Sequence, residues 1–181
     1  MKKINSIILV VMLLLVSGSF YGQNLKIMTY NIRLDVASDG ENAWPNRKDY
    51  FTSQIQFYSP DIFGVQEATP NQVTYIASAL PDYNKFGIAR EEGNTGEACT
   101  IYYKKDRFKV LESNTFWLSE TPNKVSRGWD AACNRVCTYG LFKDLKTKKT
   151  FYVFNLHLDH MGEVARVKGV QLVLSKMKEL N

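Results

Sequence analysis

Cysteine is scarce in this 181-residue chain, which has Cys99, Cys133 and Cys137 and no others. Their spacing matches no metal-ligand pattern. Cys133 and Cys137 lie close in sequence, but in one extended strand their Cα atoms would sit about 13 Å apart, too far for a disulfide. A bulge or turn at Asn134 would close that gap in an oxidising compartment, although buried free thiols are the favoured reading. Low-complexity tracts and internal repeats are absent. So is a basic stripe interleaved with aromatics, and nucleic acid therefore gains no special weight as a ligand. No long amphipathic membrane-binding element occurs. The apolar run from Ile7 to Val16 is about half of the roughly 20 residues that a spanning helix needs, so stable membrane insertion is not expected.

That run has a different reading. Lys2 and Lys3 precede it, and the small residues Ser17, Gly18, Ser19 and Gly22 follow, the layout of a secretory signal cleaved between Ser19 and Asn24. No cysteine lies there to carry a lipid. Residues 1–23 are expected to be a signal peptide, with the mature protein secreted or periplasmic. Residues 24–181 fit the size of one domain. The formal charge is +5, two of it from Lys2 and Lys3, and much of the rest from the run Lys143 to Lys149, which reads as a solvated hairpin tip. So mild an excess aids the approach of an anionic ligand without specifying nucleic acid.

Residues 25–30 read as a first strand. A polar loop follows through Asp35, Asp39 and Glu41, with the wrong spacing for a calcium loop. Trp44-Pro45 introduces a helix that runs to about Tyr58, where Ser59-Pro60 stops it. A strand at 61–67 comes next, and Thr69-Pro70 then opens a helix with Val73, Ile76, Ala77 and Leu80 on one face. This alternation predicts a layered α/β fold. Strand-like runs at 83–89, 98–103, 108–116, 135–143 and 150–158, joined by short polar connections, predict an antiparallel meander. Val164, Val167, Val170, Leu174 and Met177 recur every three or four residues, the apolar stripe of an amphipathic helix.

Three strands turn polar at their ends: Asn31 closes the first, Glu67 the second, and His157 with Asp159 the last. Buried strands favour apolar and β-branched residues, so such termini are where a sheet would place a site. Each has a plain structural reading too: Asn31 as a turn residue, Glu67 as a helix-entry charge, His157 as a satisfied histidine. Together they point to phosphoester chemistry. A glutamate offers hard oxygen to Mg²⁺, an asparagine a carbonyl or amide, and a histidine a donor to a phosphate oxygen. Period-two alternation puts Asn155, His157 and Asp159 on one face of the last strand, consistent with a cleft.

The sequence resembles the endonuclease/exonuclease/phosphatase superfamily, which has the deoxyribonuclease-I-like fold. The residues that carry the resemblance are Thr29-Tyr30-Asn31-Ile32-Arg33, Val65-Gln66-Glu67 and Gly96-Glu97-Ala98-Cys99-Thr100-Ile101-Tyr102-Tyr103. They continue in Arg127-Gly128-Trp129-Asp130-Ala131-Ala132, Arg135 and Asn155-Leu156-His157-Leu158-Asp159-His160. The resemblance implies an α/β (α+β) four-layer α/β/β/α sandwich, incomplete at the C-terminus. This chain would supply roughly one sheet, and the mostly missing second sheet would leave an apolar face exposed.

It also implies roles. Glu67 would be a direct Mg²⁺ ligand (Mn²⁺ as a substitute), and Asn31 would support the same ion or the phosphate. His157 would donate to the scissile phosphate, and Glu97 would hydrogen-bond the imidazole and fix its tautomer. Arg135 would grip phosphate with its planar fork, and Asn155 and Asp159 would join it there, Asp159 with loop architecture as its alternative. The expected partner is a phosphoester: DNA, RNA, a phospholipid headgroup, an inositol phosphate or a small phosphorylated metabolite. A complete relative would be a monomer.

Two further family motifs, a Gly-Asp-Phe-Asn strand end and a terminal Ser-Asp-His, do not occur before Asn181. The chain is thus expected to be the N-terminal part of a secreted metal-dependent phosphodiesterase, nuclease or phosphatase, with little turnover of its own. The competing reading is a non-catalytic binding domain on the same scaffold.

Overall fold

The computed structural model describes residues 24–180, and the expected signal peptide lies outside the described residues. β1 (Ile27–Asn31) runs parallel to β2 (Ile62–Gln66), and the crossover between them carries α1 (Trp44–Tyr58). α1 stops where Ser59 adopts a left-handed conformation. α2 (Pro70–Ala79) opens with a capping box, in which Thr69 and Gln72 satisfy each other's backbone N–H groups. β3 (Tyr83–Phe86), β4 (Ala89–Glu91), β5 (Thr95–Ala98), β6 (Ile101–Lys104), β7 (Phe108–Trp117), β8 (Val136–Asp144) and β9 (Thr150–Leu156) follow, and α3 (Glu163–Leu180) ends the described chain.

Side-chain alternation builds the layers from these strands. The first sheet has the order β1-β2-β6-β3, and the second has the order β7-β8-β9. In β2, Phe63 and Val65 face α1 and α2 among Ile32, Trp44, Phe51, Ile55 and Ile76. Ile62 points the other way, to Ile101, Phe108 and Phe142 between the sheets. On the far side of the second sheet Phe116, Cys137 and Tyr139 pack under Val173 of α3. The result is the four-layer α/β/β/α sandwich.

Three expectations are corrected here. Among the described residues the second sheet is present as three strands and packs against the first through Ile62, Ile101, Phe108 and Phe142, where a mostly missing second sheet and a bare inner face were expected. The meander is interrupted at Gly87, whose φ of +124° breaks the strand read at 83–89. β4 and β5 separate there as a two-stranded ribbon, and the true meander is β7-β8-β9 alone. On α3, Val164, Val167, Val170 and Leu174 are 40–53% exposed; of the expected stripe Met177 does pack on the second sheet, with Leu172 and Leu180, but the buried face is Ala165, Gly169 and Val173. The helix has two stripes of similar period. The small-residue one wins because it lets the backbone approach the second sheet closely, with Leu118 about 3.5 Å from where a Gly169 side chain would begin.

One inter-sheet contact bears on the site. Asn155 on β9 inserts its amide against β2, where a Cβ on Gly64 would meet it at 2.6 Å. Its Nδ2 donates to the carbonyls of Val65 and Thr100 at 2.9 and 3.0 Å, and its Oδ1 accepts from Gln66 Nε2 at 2.6 Å. A glycine in mid-strand is otherwise unfavourable. Here it admits the polar bolt that fixes β9 against β2.

Candidate active site

The register of β1 on β2 sets Asn31 beside Gln66. Glu67 therefore emerges at the carboxyl ends of both strands, where layered α/β folds hold their ligands. The chain turns sharply there, with φ of +63° at Glu67 and +58° at Arg33. Such left-handed conformations cost a side-chain-bearing residue on the order of 1–3 kcal/mol and cluster at functional sites. Asn31 Nδ2 donates to Glu67 Oε1 at 2.8 Å, and the Leu34 N–H donates to Oε2 at 3.2 Å. Burial raises the Glu67 pKa, but these donors, with His157 and Arg33 nearby, more than offset it. The carboxyl lies below its usual range and is ionised at neutral pH.

His157 follows the last residue of β9. Arg135 Nη1 donates to its Nδ1 at 3.1 Å, and its Nε2 lies 4.0 Å from Glu67 Oε1. Burial, and then the Arg135 charge, push its pKa below the ordinary value, so the ring is neutral at pH 7. Glu67, His157, Arg33, Glu97 and Arg135 line a common cavity of about 460 Å³. A cavity of about 540 Å³ at the other end of the sheets holds Asp61, Lys104 and Arg107, which are already paired with one another. Volume alone does not locate the chemistry.

The remaining expected site residues are placed differently from expectation. Glu97 is not on the imidazole: the β4–β5 ribbon turns it onto Arg90, which forks it at 3.0 and 2.9 Å. Asn155 is buried, and its amide is fully engaged between the sheets, so it does not reach a phosphate. Asp159 is also buried. It accepts from the N–H groups of Ala132, Met161 and Gly162 and from Arg135 Nε, which makes it a loop anchor. A buried carboxylate so engaged would repel a phosphate rather than bind it. Arg135 lines the cavity, but each of its three nitrogens has a protein partner: Asp159, His157 and His160. Its fork is turned to the histidines, not to a free anion site. Asp130, from the Trp129-Asp130 motif, caps α3 through the Val164 and Ala165 N–H groups.

Sequence reasoning missed Arg90 and Gln66. Arg90 was legible only through the Gly93-Asn94 turn, which folds residue 90 back toward 97. Gln66 was marked by a lone polar side chain before Glu67 in a buried strand, and its partner Asn155 is 89 positions away. All three cysteines are free. Cys133 precedes β8 rather than lying within it, so the extended-strand geometry does not apply. Burial pushes the Cys99 thiol up to about 12 and raises the other two, which makes all three poor nucleophiles.

The donor set suits Mg²⁺, which takes one or two protein carboxylates and keeps several waters. Glu67 supplies one ionised, partly open carboxylate. Asn31 Oδ1 accepts the Arg33 N–H at 3.0 Å, so Asn31 mainly orients Glu67. Cys133, Asp159 and His160 also bring ligand atoms within 4.8 Å of one another. Arg135 bonds two of them and its charge repels a cation.

These groups set a pH dependence. Burial raises the Asp159 pKa, but its backbone donors and Arg135 more than offset that and hold it well below the carboxylate range. His157 is held below its ordinary value as well. Both folded pKa values lie below the unfolded ones, so their stabilisation is full at high pH and lost as pH falls. In urea titrations the midpoint is expected to decline gently once pH drops through about 6.5, where unfolded histidine protonates, and steeply below about 4. A flat midpoint between pH 7 and 5 would contradict the His157 assignment.

The profile of the Endonuclease/Exonuclease/phosphatase family matches residues 28–152. No curated protein matches. Among solved structures, the endonuclease/exonuclease/phosphatase from Bacteroides vulgatus is 43% identical with a TM-score of 0.84, over 86% of this chain and 60% of that one. A mannosyl-6-phosphatase from Bacteroides thetaiotaomicron is 41% identical with a TM-score of 0.84, over 87% of this chain and 60% of its own. A conserved protein from Enterococcus faecalis is 33% identical, at 0.81, over 85% and 61%. The chain thus spans about 60% of the length of the first two. With the family profile covering most of the chain and with relatives this similar over most of its length, the protein belongs to the endonuclease/exonuclease/phosphatase family.

Proposed function

We propose that the protein is a secreted Mg²⁺-dependent phosphoester hydrolase, with Mn²⁺ able to substitute, acting on a small phosphorylated molecule of the sugar-phosphate kind. The observation that carries this reading is the ionised Glu67, on a left-handed backbone and 4.0 Å from His157 Nε2 at one cavity. The mannosyl-6-phosphatase at 41% identity supports the substrate class, and the leader layout at residues 1–23 supports secretion.

Glu67 would hold the metal, with Asn31 and the Leu34 N–H keeping its carboxylate in place. When bound, the ion supplies charge to polarise the phosphate and stabilise the leaving oxygen. His157, neutral and half-buried, donates a hydrogen bond to a phosphate oxygen as negative charge develops. Arg33, exposed at the cavity rim and paired with Asp39, adds positive potential for an approaching anion.

Calorimetry on the chain with Mg²⁺ and Mn²⁺ tests the first step. Weak binding is expected, and Glu67→Gln should lose most of it while circular dichroism stays unchanged. Equal binding by both proteins would rule out Glu67 as the anchor. A screen for phosphate release from mannose 6-phosphate and p-nitrophenyl phosphate, beside bis(p-nitrophenyl) phosphate, tests the chemistry on a form that also carries the two further motifs, since little turnover is expected of these residues alone. Hydrolysis of the diester alone would replace the sugar-phosphate reading with a phosphodiesterase.

A further inference from the structure

Arg135 stands before β8 with its side chain 7% exposed, and it touches both histidines of the chain. Its Nη1 lies 3.1 Å from His157 Nδ1, and its Nη2 lies 3.0 Å from His160 Nδ1. Its Nε is held at 3.2 Å by Asp159 Oδ2, and Asp159 is itself fixed by the N–H groups of Met161 and Gly162 at 2.9 and 2.8 Å. The guanidinium is thus locked from behind and presents N–H groups forward.

A guanidinium has donors only, and a neutral imidazole has one donor and one acceptor nitrogen. Both Nδ1 atoms must therefore accept, and each ring must carry its proton on Nε2. Histidines at functional sites are more often held the other way, with Nδ1–H donating to a carboxylate or carbonyl. The far side of His157 agrees: its Nε2 faces the Glu67 carboxylate, which favours an N–H over a lone pair.

We infer that Arg135 is a positioning residue that sets the Nε2–H tautomer of His157 and His160 together, so that His157 can present a donor to substrate and not a base. Its relevance to catalysis rests on the hydrolase reading, but the tautomer assignment does not. The same guanidinium bonds Asp159 and His160, two of the three groups in the Cys133, Asp159 and His160 cluster, so its charge opposes a cation there.

The chain has only two histidines, so ¹⁵N-histidine labelling gives two ring systems, which His160→Gln assigns. In the wild type at neutral pH, without metal or substrate, both rings are expected to show a protonated Nε2 and a lone-pair Nδ1. In Arg135→Met the two nitrogen shifts of each ring should move toward the averaged values of a free imidazole. A protonated Nδ1 on His157 in the wild type would overturn the proposal, and so would folded Arg135→Met protein with unchanged ring shifts. The wild-type spectrum decides the question even if Arg135→Met fails to fold. Neither measurement needs turnover: Nε2–H rings in a protein that hydrolyses nothing would uphold the tautomer assignment and reject only the hydrolase reading.

Discussion

In a longer form of the protein that also carries the Gly-Asp-Phe-Asn and Ser-Asp-His motifs, replacing His157 by alanine is expected to lower kcat/KM for Mg²⁺-supported phosphoester hydrolysis by about 10²- to 10³-fold, equivalent to roughly 3–4 kcal/mol of transition-state stabilisation. The loss should appear in kcat more than in KM, because the hydrogen bond strengthens as negative charge develops on the phosphate. The assay would use whichever of mannose 6-phosphate and p-nitrophenyl phosphate the wild type turns over. Little change in fold is expected, since the His157 side chain is 27% exposed and is a neutral partner of Arg135. A rate within a few-fold of wild type would remove His157 from the chemistry. A Glu97→Gln variant gives a useful contrast. Its carboxylate is bonded to Arg90 and not to the imidazole, so it should leave the ¹⁵N shifts of His157 where they are.

The second large effect is structural. At the end of the sandwich away from the site, Arg107 joins the two sheets. Its Nη1 donates to Asp61 Oδ2 at 2.6 Å ahead of β2, and its Nη2 donates to Asp144 Oδ2 at 3.2 Å at the end of β8. All three side chains are less than 10% exposed. Arg107→Met would leave two buried carboxylates without their shared cation, a change that typically costs about 3–5 kcal/mol. The low end is expected here. Asp61 keeps Lys104 and the Lys26 N–H, and Asp144 keeps the N–H groups of Lys146 and Thr147. Urea unfolding should show a lower midpoint with an unchanged slope. The triple replacement Arg107→Met, Asp61→Asn, Asp144→Asn should recover part of the loss, because no buried charge is then left alone. A single variant as stable as wild type would mean that water reaches this network.

Much of the fold was present in the sequence because local rules decide it. Proline, serine and the capping residues bound α1 and α2 where expected, and alternation with short polar turns marked β7, β8 and β9. The polar strand ends also singled out Asn31, Glu67 and His157, since a charged or amide group ending a buried strand stands out by itself. The roles of the other residues depended on pairings that no local pattern encodes. Asn155, His157 and Asp159 alternate alike along the chain, yet one bolts the sheets, one faces the cavity and one anchors a loop. The difference is that β9 ends at Leu156, so the period-two rule stops applying just where the site begins. The two stripes of α3 could be separated only by the shape of the sheet beneath them. Above all, the partner of His157 was decided by tertiary structure. A hairpin turned Glu97 onto Arg90, and a buried aspartate aimed Arg135 at both imidazoles, because a buried guanidinium must find acceptors wherever the surrounding strands bring them.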